Sequence, residues 1–169
     1  MASLILTVVG PDRPGLVRAL SEAVVARGGS WLESRMARLA GQFAGIVLVE
    51  APETLADDLR ALEDQGLHVS VQTGAPTTAA ISEEPRMVLE VVGNDRPGIV
   101  RDISKVLAGN GVNIEELTTG VASGSFSGEV LFRVNAVVRA PDEEAVAAMR
   151  AGLEDLGNEM MVDVHPAPR

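Results

Sequence analysis

The sequence predicts an α+β chain made of two tandem copies of one βαββαβ unit, each a four-stranded antiparallel sheet with two helices on one face. The first observation is an internal repeat, because residues 4–17 read LILTVVGPDRPGLV and residues 87–100 read MVLEVVGNDRPGIV. The second is its extent: the offset of 83 holds without a gap for about forty-five residues, so that Gly28 falls on Gly111 and residues 41–45 fall on 124–128. A repeat of this length indicates one supersecondary unit used twice, and 169 residues suffice for two domains.

The first strand and helix of each unit are predicted from apolar periodicity. Residues 4–9 and 87–92 are rich in β-branched side chains and end at a glycine, which is typical of a strand. Apolar positions then recur at helical spacing. They are Leu16, Val17, Leu20 and Val24 in the first unit, and Ile99, Val100, Ile103 and Leu107 in the second. Both faces of the strand are largely apolar, so we expect helices on one face and a second contact on the other.

The ends of this helix are predicted from residue types that favour helix boundaries. Pro14 and Pro97 suit the first helical turn, where a missing N–H costs nothing. Asp12 and Asp95 lie just before, where a carboxylate can cap free N–H groups. Gly28 and its repeat equivalent suit the helix stop.

The remaining elements follow in the same order in both units. The first unit has predicted strands at 31–39, 46–50 and 67–72 and a helix at 53–65; the second has strands at 114–121, 130–138 and 160–165 and a helix at 142–156. The order β-α-β-β-α-β is that of the ferredoxin-like fold. We therefore predict domains at residues 1–72 and 87–165, a linker at 73–86 and a frayed tail at 166–169.

Composition excludes several classes of function. The net charge is −10 and no dense Lys/Arg run exists, which argues against direct contact with nucleic acid. With 2% aromatic residues there is also little on which bases could stack. Cysteine is absent, so disulfide and thiolate chemistry are excluded. The N-terminal apolar run is short and lacks a preceding positive region, so we expect neither a signal peptide nor a membrane span, and a cytoplasmic location.

No catalytic constellation is visible in the sequence. His68 and His165 are not repeat equivalents, and neither a metal-ligand pair H-x-x-x-H nor a G-x-S-x-G elbow occurs. Acidic residues cluster where the second helices begin, where negative charge favours the helix dipole. We therefore expect a protein without catalytic activity, metal or cofactor; an enzyme on this scaffold is the least favoured alternative.

The repeated loop G-[PN]-D-R-P-G between strand and helix is the strongest functional signal. Loops normally vary, so a loop retained in both copies indicates function. Free N–H groups at the helix start can bind a carboxylate, and Asp12 or Asp95 could bind an ammonium group, which fits a small zwitterion. Neither a P-loop nor a G-x-G-x-x-G pattern is present. The alternatives are that the aspartates only cap the helices, that Arg13 and Arg96 are only surface charges, and that Pro and Gly only shape the turn.

The pattern G-x-D-R-P-G-[LI]-V after a strand, then a helix, then Gly111-Val112-Asn113-Ile114, resembles the ACT domain. The resemblance covers nearly the whole chain as two ACT units, and the stretch RLAGQFA at residues 38–44 is similar to tandem-ACT proteins of the glycine cleavage system transcriptional repressor family. ACT domains are small ferredoxin-like modules that bind amino acids and regulate enzymes or transcription. The first unit departs from the pattern, since residues 28–31 read GGSW.

The resemblance also implies site residues. In ligand-binding ACT domains the loop after the first strand and a polar residue after the first helix frame an amino acid that lies between paired domains. Carried onto this chain, the second-unit site comprises Asn94, Asp95, Arg96, Pro97, Gly98, Ile99, Asn113 and Ile114, and the first-unit site comprises Pro11, Asp12, Arg13, Pro14, Gly15, Leu16 and Ser30. Because Ser30 is shorter than Asn113 and Trp31 could partly fill the first site, the second site is favoured.

The expected function is therefore that of a regulatory protein that binds a small amino acid, such as glycine or serine, between paired ACT domains. Binding would modulate a protein partner such as a transcription regulator, without direct contact with nucleic acid or membrane, and a homodimer is expected. The alternative is a ligand-free interaction and dimerisation module. In that case the loops only shape the fold, and the apolar second face of the sheet drives assembly.

Overall fold

The computed structural model describes residues 1–74, 83–123, 128–157 and 160–168. The chain forms two compact units, Met1–Ala80 and Ile81–Arg169. The middle of the predicted linker, residues 75–82, lies outside the described residues. The exact bounds of the linker therefore stay a prediction, although its predicted last residue, Arg86, belongs to a strand. The predicted tail begins at Pro166, which is the last residue of another strand.

Both units have the predicted element order and form separate four-stranded antiparallel sheets. The first unit contains β1 (Ala2–Pro11), α1 (Leu16–Ala26), β2 (Ser30–Leu39), β3 (Gln42–Ala51), α2 (Leu55–Arg60) and β4 (His68–Thr73). The second contains β5 (Arg86–Asn94), α3 (Ile99–Gly109), β6 (Asn113–Ser123), β7 (Val130–Arg139), α4 (Glu143–Glu154) and β8 (Met161–Pro166). The strand orders are β2-β3-β1-β4 and β6-β7-β5-β8, which confirms the ferredoxin-like prediction. Helix α2 is shorter than expected, because a 3₁₀ turn at Glu63–Gln65 replaces its last part.

Each core lies between one face of the sheet and the two helices. Leu6 on β1 and its repeat equivalent Leu89 on β5 are both 0% exposed. They pack with the predicted helix positions Leu20 and Ile103, which are also buried. Because the chain is poor in aromatic residues, both cores consist almost entirely of aliphatic side chains, with Met149 at the centre of α4.

The predicted glycine stops of the first helices are confirmed. Gly28 has φ 67° and Gly111 has φ 68°, the left-handed region that glycine adopts without steric cost. The N–H of Gly28 donates to the Val25 carbonyl, and the next N–H donates to Val24. The N–H groups of Gly111 and Val112 repeat this pattern at the end of α3. Both helices thus end in a Schellman motif.

The predicted helix starts are wrong in detail. Helix α1 begins at Leu16 and α3 at Ile99, so Pro14 and Pro97 lie before the helices and not in their first turns. The N-cap positions are held by Gly15 (φ 93°) and Gly98 (φ 83°). In this left-handed conformation the chain turns sharply into the helix, and glycine tolerates it because it lacks Cβ.

The aspartates of the loops do not cap the helices either. Neither α1 nor α3 has a side-chain cap, and the carboxylate of Asp12 pairs with Arg38 instead. An aspartate does cap α4, where the Asp142 carboxylate accepts a hydrogen bond from the Ala145 N–H at 2.8 Å. Helix capping therefore does not explain why both repeated loops contain an aspartate, Asp12 and Asp95.

The hairpin β2–β3 changes the alignment of the two units. A two-residue turn at Ala40 (φ 48°) and Gly41 (φ 79°) joins the strands, and Phe43 lies opposite Gly10. In the second unit Phe132 lies opposite Gly93, so Phe43 corresponds to Phe132 at an offset of 89 and not to residue 126. The second hairpin is therefore six residues longer, and residues 124–127 of its connection lie outside the described residues.

Candidate functional site

The two repeated loops lie at the end of each sheet where the first strand finishes, beside a β-hairpin. The N–H of Asp12 donates to the Gly41 carbonyl at 2.8 Å, and the N–H of Asp95 donates to the Val130 carbonyl at 2.8 Å. Each loop is thus held to the start of the neighbouring strand. This contact directs the aspartate side chains to the surface, where both residues are exposed.

The loops present backbone N–H groups at the helix starts. The first helical hydrogen bond of α1 runs from the Ala19 N–H to the Gly15 carbonyl, and that of α3 runs from Asp102 to Gly98. Ile99 makes a long turn bond of 3.3 Å to Arg96, whereas the N–H groups of residues 16–18 and 100–101 have no backbone acceptor among the described residues. These groups, together with the helix dipole, favour an anionic ligand atom.

The arginines of both loops are held by other groups. Arg13 donates to the Gln65 carbonyl, which lies just before β4. Arg96 donates from Nη1 to Oδ2 of Asp102 at 2.7 Å, and Arg101 lies 3.0 Å from the other oxygen. The hydrogen bonds from Arg96 and Arg101 lower the pKa of Asp102 below its ordinary value. The arginines therefore shape the loops and are satisfied without a ligand.

The two loop carboxylates differ in their surroundings. Oδ2 of Asp12 accepts a hydrogen bond from Nε of Arg38 at 2.5 Å. For Asp95 the described residues offer no side-chain hydrogen bond and no ion pair. Asn94, immediately before it, is exposed and does have an interaction partner. Only the second loop thus offers an open carboxylate beside unbonded N–H groups.

The structure separates the loop from the polar residue after the helix. Asn113 pairs with Arg139, which pairs with Arg86 at the start of β5, whereas Asp95 follows the end of β5. Eight strand positions at about 3.3 Å each put roughly 26 Å between the two ends. Ser30 is likewise remote from Asp12, because it pairs with Glu50 at the other end of the first sheet. One domain alone therefore cannot place both predicted residues on one amino acid.

Trp31 also has a different role from the one considered in the sequence. It pairs with Val49 and packs against the first core, at the same remote end as Ser30. It therefore fills part of the hydrophobic interior and does not approach the loop that carries Asp12.

A charged cluster beside Asn113 is not apparent from the loop motif. The Glu115 carboxylate accepts hydrogen bonds from Nε of Arg86 at 2.8 Å and from Nε of Arg139 at 2.6 Å. Both hydrogen bonds lower the pKa of Glu115 below its ordinary value, and the bond from Arg86 contributes most to this shift. Arg86 and Arg139 lie directly opposite on β5 and β7, and like charges in that position need a counterion. A β-bulge between Ile114 and Glu116 supplies it, and sequence alone does not reveal that bulge.

The free edge of the second sheet carries exposed apolar side chains. Strand β6 has 11 residues and only one hydrogen-bonded neighbour, β7. On its helix-facing side Leu117 is 47% and Val121 is 60% exposed, and Val100 on α3 is 40% exposed. Val100 and Leu117 line a narrow apolar depression between α3 and β6. At the equivalent positions the first edge keeps a valine on the helix, Val17, but has the polar residues Ser34 and Arg38 on the strand.

Within the described ranges, no group of three or more His, Cys, Asp or Glu side chains is arranged to hold a metal ion. None of the helices in these ranges is long and apolar enough to cross a membrane.

Two ferredoxin-like units, each with a glycine-capped loop and a free edge strand, define a tandem α+β module. Comparison with protein families identifies the module: ACT-domain models match residues 2–76 and 87–151. The chain therefore belongs to the ACT-domain family and contains two ACT domains in tandem. Such domains are typical of regulatory proteins that bind amino acids.

Individual relatives support this assignment. The UPF0237 protein MK1213 of Methanopyrus kandleri is 37% identical over 79 residues, which cover 47% of this chain and 82% of that protein. The crystal structure of an unknown protein from Galdieria sulphuraria is similar along 99% of both chains, with 30% identity and a TM-score of 0.81. A protein provisionally named as a glycine cleavage system transcriptional repressor covers 98% of both chains at 17% identity and a TM-score of 0.67, a likeness of fold.

Proposed function

We propose that this chain is a non-catalytic regulatory protein that binds a small amino acid, such as glycine or serine, at the β5–α3 loop between paired ACT domains. The observation that carries the proposal is the open carboxylate of Asp95 beside the unbonded N–H groups of Val100 and Arg101. The carboxylate complements an α-ammonium group, and the N–H groups complement an α-carboxylate. A zwitterion fits both halves of this arrangement, whereas an anion alone would be repelled by Asp95.

Pairing of two domains would bring Asn113 to this loop. Antiparallel pairing of β6 with β6 of a second copy reverses the strand direction, so that Asn113 of one copy lies beside the far end of the other β6. In a register centred on Thr118, Asn113 of one copy lies opposite Ser123 of the other copy, at the end of that copy's sheet that carries Asp95. A long exposed edge strand is a template for such pairing, and a two-fold interface repeats each contact. The site is then complete only in a homodimer.

The proposed edge would also cover apolar surface. Leu117, Val121 and Val100 lie on the side of β6 that faces the helices, so a second α3–β6 edge would bury them on both copies. This burial stabilises the pair, because removing apolar surface from water contributes roughly 25 cal/mol per Å². An amino acid that binds across the interface would then favour the paired state by its differential affinity.

The regulatory output would pass to a protein partner such as a transcription regulator. The chain has a net charge of −10, which opposes direct contact with nucleic acid. Ligand occupancy would change which surfaces of the paired domains are available to that partner. Glycine and serine are proposed as ligands because they present the ammonium and carboxylate groups of an amino acid with the smallest side chains.

Thermal unfolding in the presence of each of the twenty amino acids at millimolar concentration tests this proposal. A ligand at about one hundred times its dissociation constant stabilises the native state by roughly 2.7 kcal/mol. For a chain of this size the midpoint should rise by about 5–10 °C. Asn113→Ala should reduce that shift and leave the midpoint without ligand unchanged. A full shift in Asn113→Ala would remove Asn113 from the site.

A ligand-free interaction module is the second candidate. Its support is the outer face of the first sheet, where Ile46 is 56% exposed and lies beside Ile5 and Leu48. At the position of Ile46 the second sheet has Asn135. Absence of a shift with every amino acid, together with a stable oligomer in solution, would favour this module over the amino-acid sensor.

A further inference from the structure

The loop carboxylate of the first domain is satisfied from within the domain. Nε of Arg38 lies 2.5 Å from Oδ2 of Asp12, and the side chain of Asp12 is only 33% exposed to solvent. In the second domain Asp95 has no counterpart of this ion pair among the described residues. The two loops are otherwise alike in sequence and in the left-handed glycine that precedes the helix.

The difference follows from one position on the edge strand. Arg38 lies opposite Phe43 on β3, and Val121 lies opposite Phe132 on β7. Because Phe43 and Phe132 lie opposite Gly10 and Gly93, the positions of Arg38 and Val121 are structurally equivalent. The first edge thus places a guanidinium where the second edge has an isopropyl group.

We propose that Arg38 is a specificity-determining residue, because its guanidinium occupies the ammonium-binding carboxylate of Asp12 and so weakens amino-acid binding in the first domain relative to the second. This inference rests on the proposed function of the loop. A guanidinium and an α-ammonium group compete for the same oxygen atoms, so a ligand of the first loop would have to displace Arg38. The side chain of Arg38 is 67% exposed, and an exposed ion pair changes affinity by up to about fivefold.

A reciprocal exchange of Arg38 and Val121 tests the inference. Glycine and L-serine are titrated by calorimetry into the full chain carrying Asp95→Asn, which removes the second carboxylate, with and without Arg38→Val. Arg38→Val should strengthen the remaining binding by up to about fivefold. In the chain that keeps Asp95, Val121→Arg should weaken binding by a similar factor. Arg35→Thr is the charge control, since Arg35 pairs with Glu33 on the other face of β2 and should change neither affinity.

Carbodiimide labelling of carboxyl groups, read by peptide mass spectrometry, reports the ion pair without any ligand. Asp95 should react faster than Asp12 in the unaltered chain, and Arg38→Val should bring Asp12 to the rate of Asp95. Equal rates in the unaltered chain would overturn the inference. The inference would also be overturned if neither Arg38→Val nor Val121→Arg changed the affinity while the unaltered chain binds glycine or serine. If the unaltered chain binds neither probe, the amino-acid site itself is contradicted and the inference falls with it.

Discussion

The two domains of this chain share a scaffold and differ at its exposed positions. Both sheets have the same strand order, both first helices start at a left-handed glycine, and both end in a Schellman motif. The first domain closes its hairpin with a two-residue turn and pairs Asp12 with Arg38. The second has a longer hairpin, an open Asp95 and an apolar edge. The shared scaffold thus depends on glycines and aliphatic side chains, whereas the proposed ligand chemistry depends on a few surface residues.

The strongest test of the shared scaffold is a matched pair of core truncations. Leu6 and Leu89 are repeat equivalents and are both 0% exposed. Leu6→Ala and Leu89→Ala should each destabilise their own domain by about 2–5 kcal/mol, because each leaves a cavity in a packed core. Urea unfolding followed by circular dichroism measures the loss. A near-neutral effect of either change would show that the two cores are not equivalent.

The apolar edge should matter only in the second domain. Leu117→Ser introduces the residue that the first edge has at that position, and it should weaken self-association by about tenfold or more, since burying a leucine contributes roughly 1.5–3 kcal/mol. Sedimentation equilibrium measures the dissociation constant. Leu39→Ser on β2, where the side chain is 80% exposed, is the matched control and should have no effect. An equal loss in both variants would place the interface elsewhere.

The helix-start glycines should be required for their backbone conformation. Gly15→Ala should destabilise the chain by about 1–2 kcal/mol, although a Cβ there would contact nothing within 4 Å. Gly109→Ala is the control, because Gly109 lies in α3 without a positive φ and its Cβ would also meet nothing within 4 Å. It should leave stability unchanged or raise it by about 0.4–1 kcal/mol. Tolerance of alanine at Gly15 would show that the left-handed turn is not needed.

The charged cluster predicts a small effect of pH that is confined to the second domain. Because Arg86 and Arg139 lower the pKa of folded Glu115, its contribution to stability is present above the unfolded value of about 4.5 and is lost as the pH falls through the lower folded value. Glu115→Gln should therefore cost up to about 1 kcal/mol at pH 7 and less at pH 3. Urea unfolding at both pH values measures this difference. Glu90→Gln on the same sheet is the control, and an equal pH dependence in both variants would show that the cluster around Glu115 is not its cause.

The sequence predicted the fold well because its signals are local. The predicted order of strands and helices matches the described structure, and Gly28 and Gly111 marked their helix ends correctly. The helix starts were wrongly predicted, because the N-cap glycine has no side chain that would indicate a cap, whereas Asp12 is of a residue type that often caps helices. The alignment of the hairpins was also wrong, since the ungapped offset of 83 placed Phe43 on residue 126, whereas the strand register places it on Phe132.

The geometry of the candidate site could be predicted only in part, because it depends on contacts between residues that are distant in sequence. The loop residues are adjacent in sequence and were found together, with their backbone N–H groups at the helix starts. The distance between Asp95 and Asn113 follows from strand register, which a single sequence does not reveal. The Arg38–Asp12 pair joins residues 26 positions apart, and the pairing of Arg86 with Glu115 depends on a bulge.

The open carboxylate of the second loop is proposed to bind an amino acid. Calorimetric titration of glycine and L-serine into the unaltered chain, Asp95→Asn and Asp12→Asn tests this proposal, since the three proteins differ only in which loops keep their carboxylate. We expect binding to the unaltered chain and to Asp12→Asn, with a loss of about tenfold or more in Asp95→Asn, because a charged partner of the ammonium group is removed. Unchanged affinity in Asp95→Asn would show that the Asp95 carboxylate does not bind the ligand.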